Sequence, residues 1–261
     1  MHRFKSLLAC LVIGAASITL GAMSALHSSF LESAEPLTGL SFFIGSGVPL
    51  ENQEDLIPGY FSRYDQLDED RISCSIVGLN IRLKIYSEAE LDLCEYMSRY
   101  SAGTKLNWKQ VVQRKGDNIL SLSPGLFITS GKLNLGFWDE LRSRAWGVEL
   151  PVIWTHKFPV IADDPKLKIS FNACAKATYA RNKMFRKDKS WSPDHETRYL
   201  GTADVFTGSV GGNIQFRGKH WALTPELVIR LIPIGDNKFK GKPGFGVSLA
   251  WLSDRNAFER D

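Results

Sequence analysis

An antiparallel up-and-down β-barrel of eight strands is the fold this sequence predicts. Its clearest segment runs from Leu167 to Tyr179. There Leu167, Ile169, Phe171, Ala173, Ala175, Ala177 and Tyr179 are apolar, and Lys168, Ser170, Asn172, Lys176 and Thr178 are polar, with Cys174 a soft exception. A period of two places successive side chains on opposite faces of a strand. At roughly 3.3 Å per residue the segment would span about 43 Å, longer than most strands of globular proteins, as expected of a tilted barrel strand crossing a membrane. The same alternation recurs in seven other segments, and an even antiparallel count permits a closed meander with every edge paired. No segment after the first 25 residues approaches the length of uncharged apolar chain that a membrane helix needs. That argues against a helical membrane bundle but not against a barrel, whose strands are short and half polar.

The N-terminus reads as a secretory signal over residues 1–25. Arg3 and Lys5 precede an uncharged run from Leu7 to Ala22, and small residues flank Ala22 and Ala25. Gly14, Ser17 and Thr19 interrupt the run and no basic stop follows it, which argues against an uncleaved anchor. Cys10 precedes the completion of the apolar region, which argues against lipoprotein processing. Residues 26–37 read as a linker, 38–252 as the barrel and 253–261 as a polar tail.

The first strand is expected at 38–48 from Leu40, Phe42 and Ile44. An acid-rich loop containing Pro58 and Gly59 follows. The second strand is expected at 72–85, with Val77, Leu79, Ile81, Leu83 and Ile85 opposite Gly78, Asn80, Arg82 and Lys84. Ser87 and Glu90 then have the spacing of a capping box, and Leu91, Cys94 and Met97 recur every third residue, so a helical insertion is expected at 88–100. Residues 106–112 fit helix or strand. The third strand, 118–129, contains Pro124, which lacks a ladder donor and argues for a bulge or an edge; Leu133, Leu135 and Phe137 restart its pattern.

In the fourth strand, 142–155, Trp146, Val148, Leu150, Val152 and Trp154 face away from Gly147, Glu149, Pro151 and Thr155. The fifth covers 167–182, followed by a charged loop with Pro193. The sixth, 199–217, settles into Val210, Gly212, Ile214 and Phe216 against Gly211, Asn213 and Gln215, and a tight hairpin is expected at Gly218. The seventh, 220–232, sets Trp221, Leu223, Leu227, Ile229 and Leu231 against Thr224, Glu226 and Arg230, with a bulge expected at Pro225. The eighth, 244–252, carries Phe245, Val247, Leu249 and Trp251.

These phases assign the two faces of the wall. Glu149, Lys176, Glu226 and Arg230, with Asn80, Arg82 and Lys84, would point inward and form a packed charged network rather than a conducting pore. Trp146, Trp154, Tyr179, Trp221 and Trp251 lie near the ends of apolar faces, where interfacial aromatic belts form. The formal charge of +4 falls to +2 once Arg3 and Lys5 are removed, and basic residues are interleaved with acidic ones, which excludes an extended nucleic-acid footprint. Export would permit a disulfide, and Cys74 with Cys94 is the nearest pair in sequence.

With its signal-like start, dyad strands and connection lengths, the stretch from Gly39 to Trp251 resembles the small Gram-negative outer-membrane β-barrels as a broad class. The resemblance implies a periplasmic N-terminus and outward-facing connections at 51–70, 183–198 and 233–243. Two features depart from it: a connection of about thirty residues from Tyr86 to Asp117 on the short-turn side, and a charged tail after Trp251.

Chemical motifs are sparse. His2, His27, His156, His195 and His220 form no metal-ligand spacing, and there is no nucleophile elbow or phosphate-binding glycine loop. Ser192, Asp194 and His195 cluster in a loop, but a solvated role is simpler than catalysis, and His220 beside Trp221 reads more simply as an anchor than as a base. No catalytic, cofactor-binding or metal residues are therefore assigned, and no cofactor is expected. The expected protein is a noncatalytic outer-membrane barrel with a surface, adhesion or membrane-integrity role. Its expected partners are membrane lipid or lipopolysaccharide and an extracellular ligand held by its loops, with no nucleic acid. The alternatives are an outer-membrane lipid hydrolase or acyltransferase and a soluble periplasmic lipocalin-like binding protein.

Overall fold

The computed structural model describes residues 33–49, 74–98, 101–134, 139–159, 167–188, 197–233 and 239–253. They form eleven strand segments: β1 (Gly39–Pro49), β2 (Cys74–Tyr86), β3 (Ala89–Ser98), β4 (Ser101–Lys115), β5 (Asn118–Leu122), β6 (Gly125–Asn134), β7 (Asp139–Lys157), β8 (Lys168–Asp188), β9 (Thr197–Arg217), β10 (Trp221–Pro233) and β11 (Phe239–Leu252). Segments β5 and β6 are the two halves of one stave, because each pairs with both β4 and β7. The wall therefore has ten staves, each antiparallel to its neighbours in chain order, and the pairing of β1 with β11 closes it.

Eight strands were expected and ten are found; the difference lies between residues 86 and 117. The helix expected at 88–100 is β3, and the ambiguous 106–112 belongs to β4. In β3 the even residues Glu90, Asp92, Cys94 and Tyr96 are buried in the interior, while Glu95 and Met97 are exposed on the outer face. The spacing of three that suggests a helix mixes these two faces. What decides the conformation is a neighbour on each side: Glu90 lies opposite Lys84 of β2 and Lys109 of β4 in the ladders. Cross-strand partners override a local cap because every backbone donor and acceptor is then paired. The long connection that departed from the barrel class is thus a pair of staves.

Prolines mark the other irregularities. Pro124 separates β5 from β6, yet Trp108 N donates to Pro124 O and Ser123 N to Pro151 O, each at 2.9 Å, so the wall stays paired across the break. Pro225 causes no bulge: β10 keeps one register with β11 through it, opposite Val247. The hairpin at Gly218 is present, with Gly218 N donating to Trp221 O at 2.9 Å.

The Cys74–Cys94 bridge considered from the sequence does not form. Cys74 faces Gly47 and Cys94 faces Asn80, six residues farther along β2, or roughly 20 Å at strand rise and far beyond disulfide reach. Cys94 and Cys174 are buried thiols on the interior face.

Candidate functional site

The two faces of this wall are inverted relative to a water-soluble protein. Its interior buries many polar and charged groups: Asn80, Arg82, Glu90, Asp92, Lys105, Asn107, Lys109, Glu149, Lys176 and Glu226 are each less than 10% exposed. Its exterior carries Phe42, Leu83, Leu126, Ile128, Trp146, Leu150, Phe206, Leu227, Phe245 and Trp251, each more than 45% exposed. A contiguous apolar belt of this extent is unfavourable in water and favourable in hydrocarbon. This is the architecture of an outer-membrane β-barrel.

No family model and no curated protein matches the chain. Among solved structures it is similar to the outer membrane protease OmpT from Escherichia coli, at 10% identity and a TM-score of 0.46, covering 83% of this chain and 94% of that one. It is also similar to the translocator domain of autotransporter NalP from Neisseria meningitidis, at 10% identity and a TM-score of 0.33, covering 83% of this chain and 89% of that one. These similarities concern fold alone, and the barrel assignment rests on the register and the exposed belt.

The lumen holds three groups of buried polar side chains. In the first, Glu149 of β7 is held between two strands: Lys105 Nζ lies 3.2 Å and Lys176 Nζ 3.5 Å from Oε2, and Asn107 Nδ2 donates to Oε1 at 3.1 Å. Adjacent glycines make room for it. A Cβ on Gly125 would sit 1.9 Å from Asn107 Oδ1, so only glycine lets Asn107 reach across to Glu149. In the second, Lys109 Nζ lies 3.3 Å and Arg82 Nε 3.7 Å from Glu90 Oε1, and Arg82 Nε is also 3.7 Å from Asp92 Oδ1. In the third, Thr155 Oγ1 donates to Asn172 Oδ1 at 2.6 Å, and Asn172 Nδ2 donates to Asn213 Oδ1 at 2.7 Å.

The end of the expected linker enters this lumen. Ala34 is fully buried and packs in one cluster with Val111, Ile119, Ile153, Cys174 and Val228. Ala34 N donates to Thr155 Oγ1 at 2.7 Å, Leu37 N donates to Glu90 Oε2, and Lys157 Nζ donates to Glu35 Oε1 at 2.7 Å. Residues 33–37 thus cap the barrel at the end that carries the 87–88, 116–117 and 218–220 turns.

The sequence places Glu149, Lys176, Glu226, Asn80 and Arg82 inward, and all five are buried there. Lys84, expected inward, is exposed near the end of β2 beside a register shift between Lys84 and Tyr86. Arg230 lies on β10, with its side chain outside the described residues. The partners Lys105, Asn107, Lys109, Glu90 and Asp92 were missed, because they occupy the two unrecognised staves. Their signal is present in Leu106 and Trp108 alternating with Lys105, Asn107 and Lys109. Ser192, Asp194 and His195 fall outside the described residues. His220 is half-buried in the 218–220 turn, where its carbonyl accepts from Leu252 N at 2.9 Å. His156 Nδ1 lies 3.1 Å from Asn118 Oδ1. Among the described residues no group of three His, Cys, Asp or Glu could hold a metal ion.

On the outer wall, aromatic rings gather at the short-turn end. Tyr86 and Trp108 approach with centroids 6.5 Å apart, Trp154 meets the Phe171 edge at 6.0 Å, and Phe42 lies opposite Trp251, itself opposite Trp221. At the other limit the outer face changes character within one step along β7, β8 and β9. On β7 it passes from Trp146 to Arg144, on β8 from Tyr179 to Arg181, and on β9 from Phe206 to Asp204. These three transitions are neighbours in register, so they mark a common boundary. Strands β8 and β9, of 21 residues each, run well past it, since about ten tilted residues cross a bilayer.

Proposed function

We propose that this chain is a bacterial outer-membrane barrel with a noncatalytic role at the cell surface, in adhesion or membrane integrity. The observation that carries the reading is the pairing of an apolar, aromatic-edged outer wall with a lumen closed by ion pairs and by residues 33–37. In this reading the buried ion pairs hold the wall in shape and the lumen does not serve as an open channel. The extension of β7, β8 and β9 past the belt supports a platform that carries its connections away from the lipid surface. The short-turn end, with its inserted N-terminal segment, faces the periplasm in this reading.

Expression with fractionation tests the proposal. The protein should sediment with outer membranes, and the extracted, unboiled species should migrate differently from the heated one on gels. Planar bilayers containing the folded protein should show no steady conductance. A soluble periplasmic product, or a stable open channel, would overturn the reading.

A further inference from the structure

The outer wall also carries a feature that a plain lipid belt does not need. A groove of about 620 Å³ crosses it where the β5–β6 break interrupts the stave. Leu106, Leu126, Val148, Tyr179 and Phe206 line it and form one continuous cross-strand row, while the small side chain of Ala177 leaves room in it. Its lining is almost wholly apolar.

The rows just beyond the Tyr179–Phe206 end are cationic. Arg181 is two residues past Tyr179 on β8, and Arg144 lies directly opposite Lys183 on the next row. Arg144, Arg181 and Lys183 are all exposed on the outer face. Like charges directly opposite on neighbouring strands are destabilising by themselves. The acid on this rim is Asp204, whose Oδ1 lies 3.8 Å from Arg181 Nε and also accepts the Tyr179 hydroxyl at 2.9 Å. The Arg144–Lys183 row has Thr202 rather than an acid on β9, and Arg144 Cζ lies 5.9 Å from the Phe185 ring centroid.

We propose that this groove and rim form a seat for one phosphate-bearing membrane lipid. An acyl chain lies along Leu106, Leu126 and Val148, and its phosphate is held by Arg144, Arg181 and Lys183. Charge complementarity selects the occupant: an apolar chain suits the groove, and an anion at its mouth separates the opposed cations. The proposal rests on the membrane reading above, and its test is arranged so that the two can fail separately.

The folded full-length protein would be placed in phosphatidylcholine vesicles containing a minor fraction of either dibrominated phosphatidylglycerol or dibrominated phosphatidylcholine. Quenching of Trp108, which lines the groove, and of Trp146, one row above it, reports lipid contact as the part of the signal that Trp108→Phe and Trp146→Phe remove. The anionic lipid should be enriched about tenfold over its bulk fraction, the scale expected when two or three basic residues attract one phosphate at a membrane surface. The triple substitution Arg144→Gln, Arg181→Gln, Lys183→Gln should reduce the enrichment to about that of the neutral lipid, while quenching by the neutral lipid persists. Ala177→Trp, which fills the groove and leaves the rim intact, should reduce it as well. Equal quenching by both lipids would overturn the seat and leave the membrane reading standing. If equal quenching accompanied a sedimenting dimer, the groove would belong to a second copy. Absence of quenching by either lipid would overturn both.

Discussion

Glu149 and Glu226 face the same lumen from β7 and β10 and are equally buried, yet their surroundings differ. Glu149 has two lysines and an asparagine around its oxygens; neither oxygen of Glu226 has a hydrogen-bond partner among the described residues. One carboxylate organises three staves, and the other sits opposite Gly246 and Asn213. The contrast predicts unequal costs of removal, because taking away one member of a buried ion pair strands the other.

Replacing Glu149 should therefore have the largest effect. Glu149→Leu leaves Lys105 and Lys176 buried without their shared carboxylate, and should cost about 3–5 kcal/mol in urea unfolding from vesicles. The outer wall gives the next test. Leu150 is adjacent in sequence but faces outward midway between Trp146 and Trp154, so Leu150→Arg should cost about 2–4 kcal/mol in lipid. Gly125→Ala should cost about 1–2 kcal/mol by displacing Asn107 from Glu149, and in a double-mutant cycle with Asn107→Ala the two losses should be less than additive. The smallest effect is expected at Glu226: Glu226→Gln should change stability by less than about 1 kcal/mol, in either direction, because no paired ion is orphaned. Equal losses at Glu149 and Glu226 would erase the distinction.

The alternation along 146–154 and 167–179 was legible because outward-facing side chains are uniformly apolar there, and the barrel class followed from it. Five of the expected strands are found as single staves near their expected bounds; the 118–129 strand is divided at Pro124, β8 ends six residues after the expected fifth strand, and β11 begins five residues before the expected eighth. The stave pair β3–β4 was not legible. Its inward face holds Glu90, Asp92, Lys105 and Lys109, which read locally as the charged side of a surface helix. The meaning of Lys105 comes from Glu149, 44 residues away, which no local window contains. The insertion of Ala34 into the lumen was hidden for the same reason: a short Ser-Ala-Glu-Pro stretch has no period, and partners far along the chain, such as the buried hydroxyl of Thr155, give it a place. The candidate lipid seat was half legible. Arg144 and Lys183 are plain in the sequence, but the register that sets them opposite one another is not.

The central claim is the inside-out wall, and β7 offers the most direct measurement of it. Single spin labels at residues 148 to 153 in lipid vesicles should alternate: labels at Val148, Leu150 and Val152 accessible to oxygen and shielded from a polar nickel reagent, those at Glu149, Pro151 and Ile153 shielded from both. Loss of the two-residue period, or nickel access at Val148 and Leu150, would contradict it.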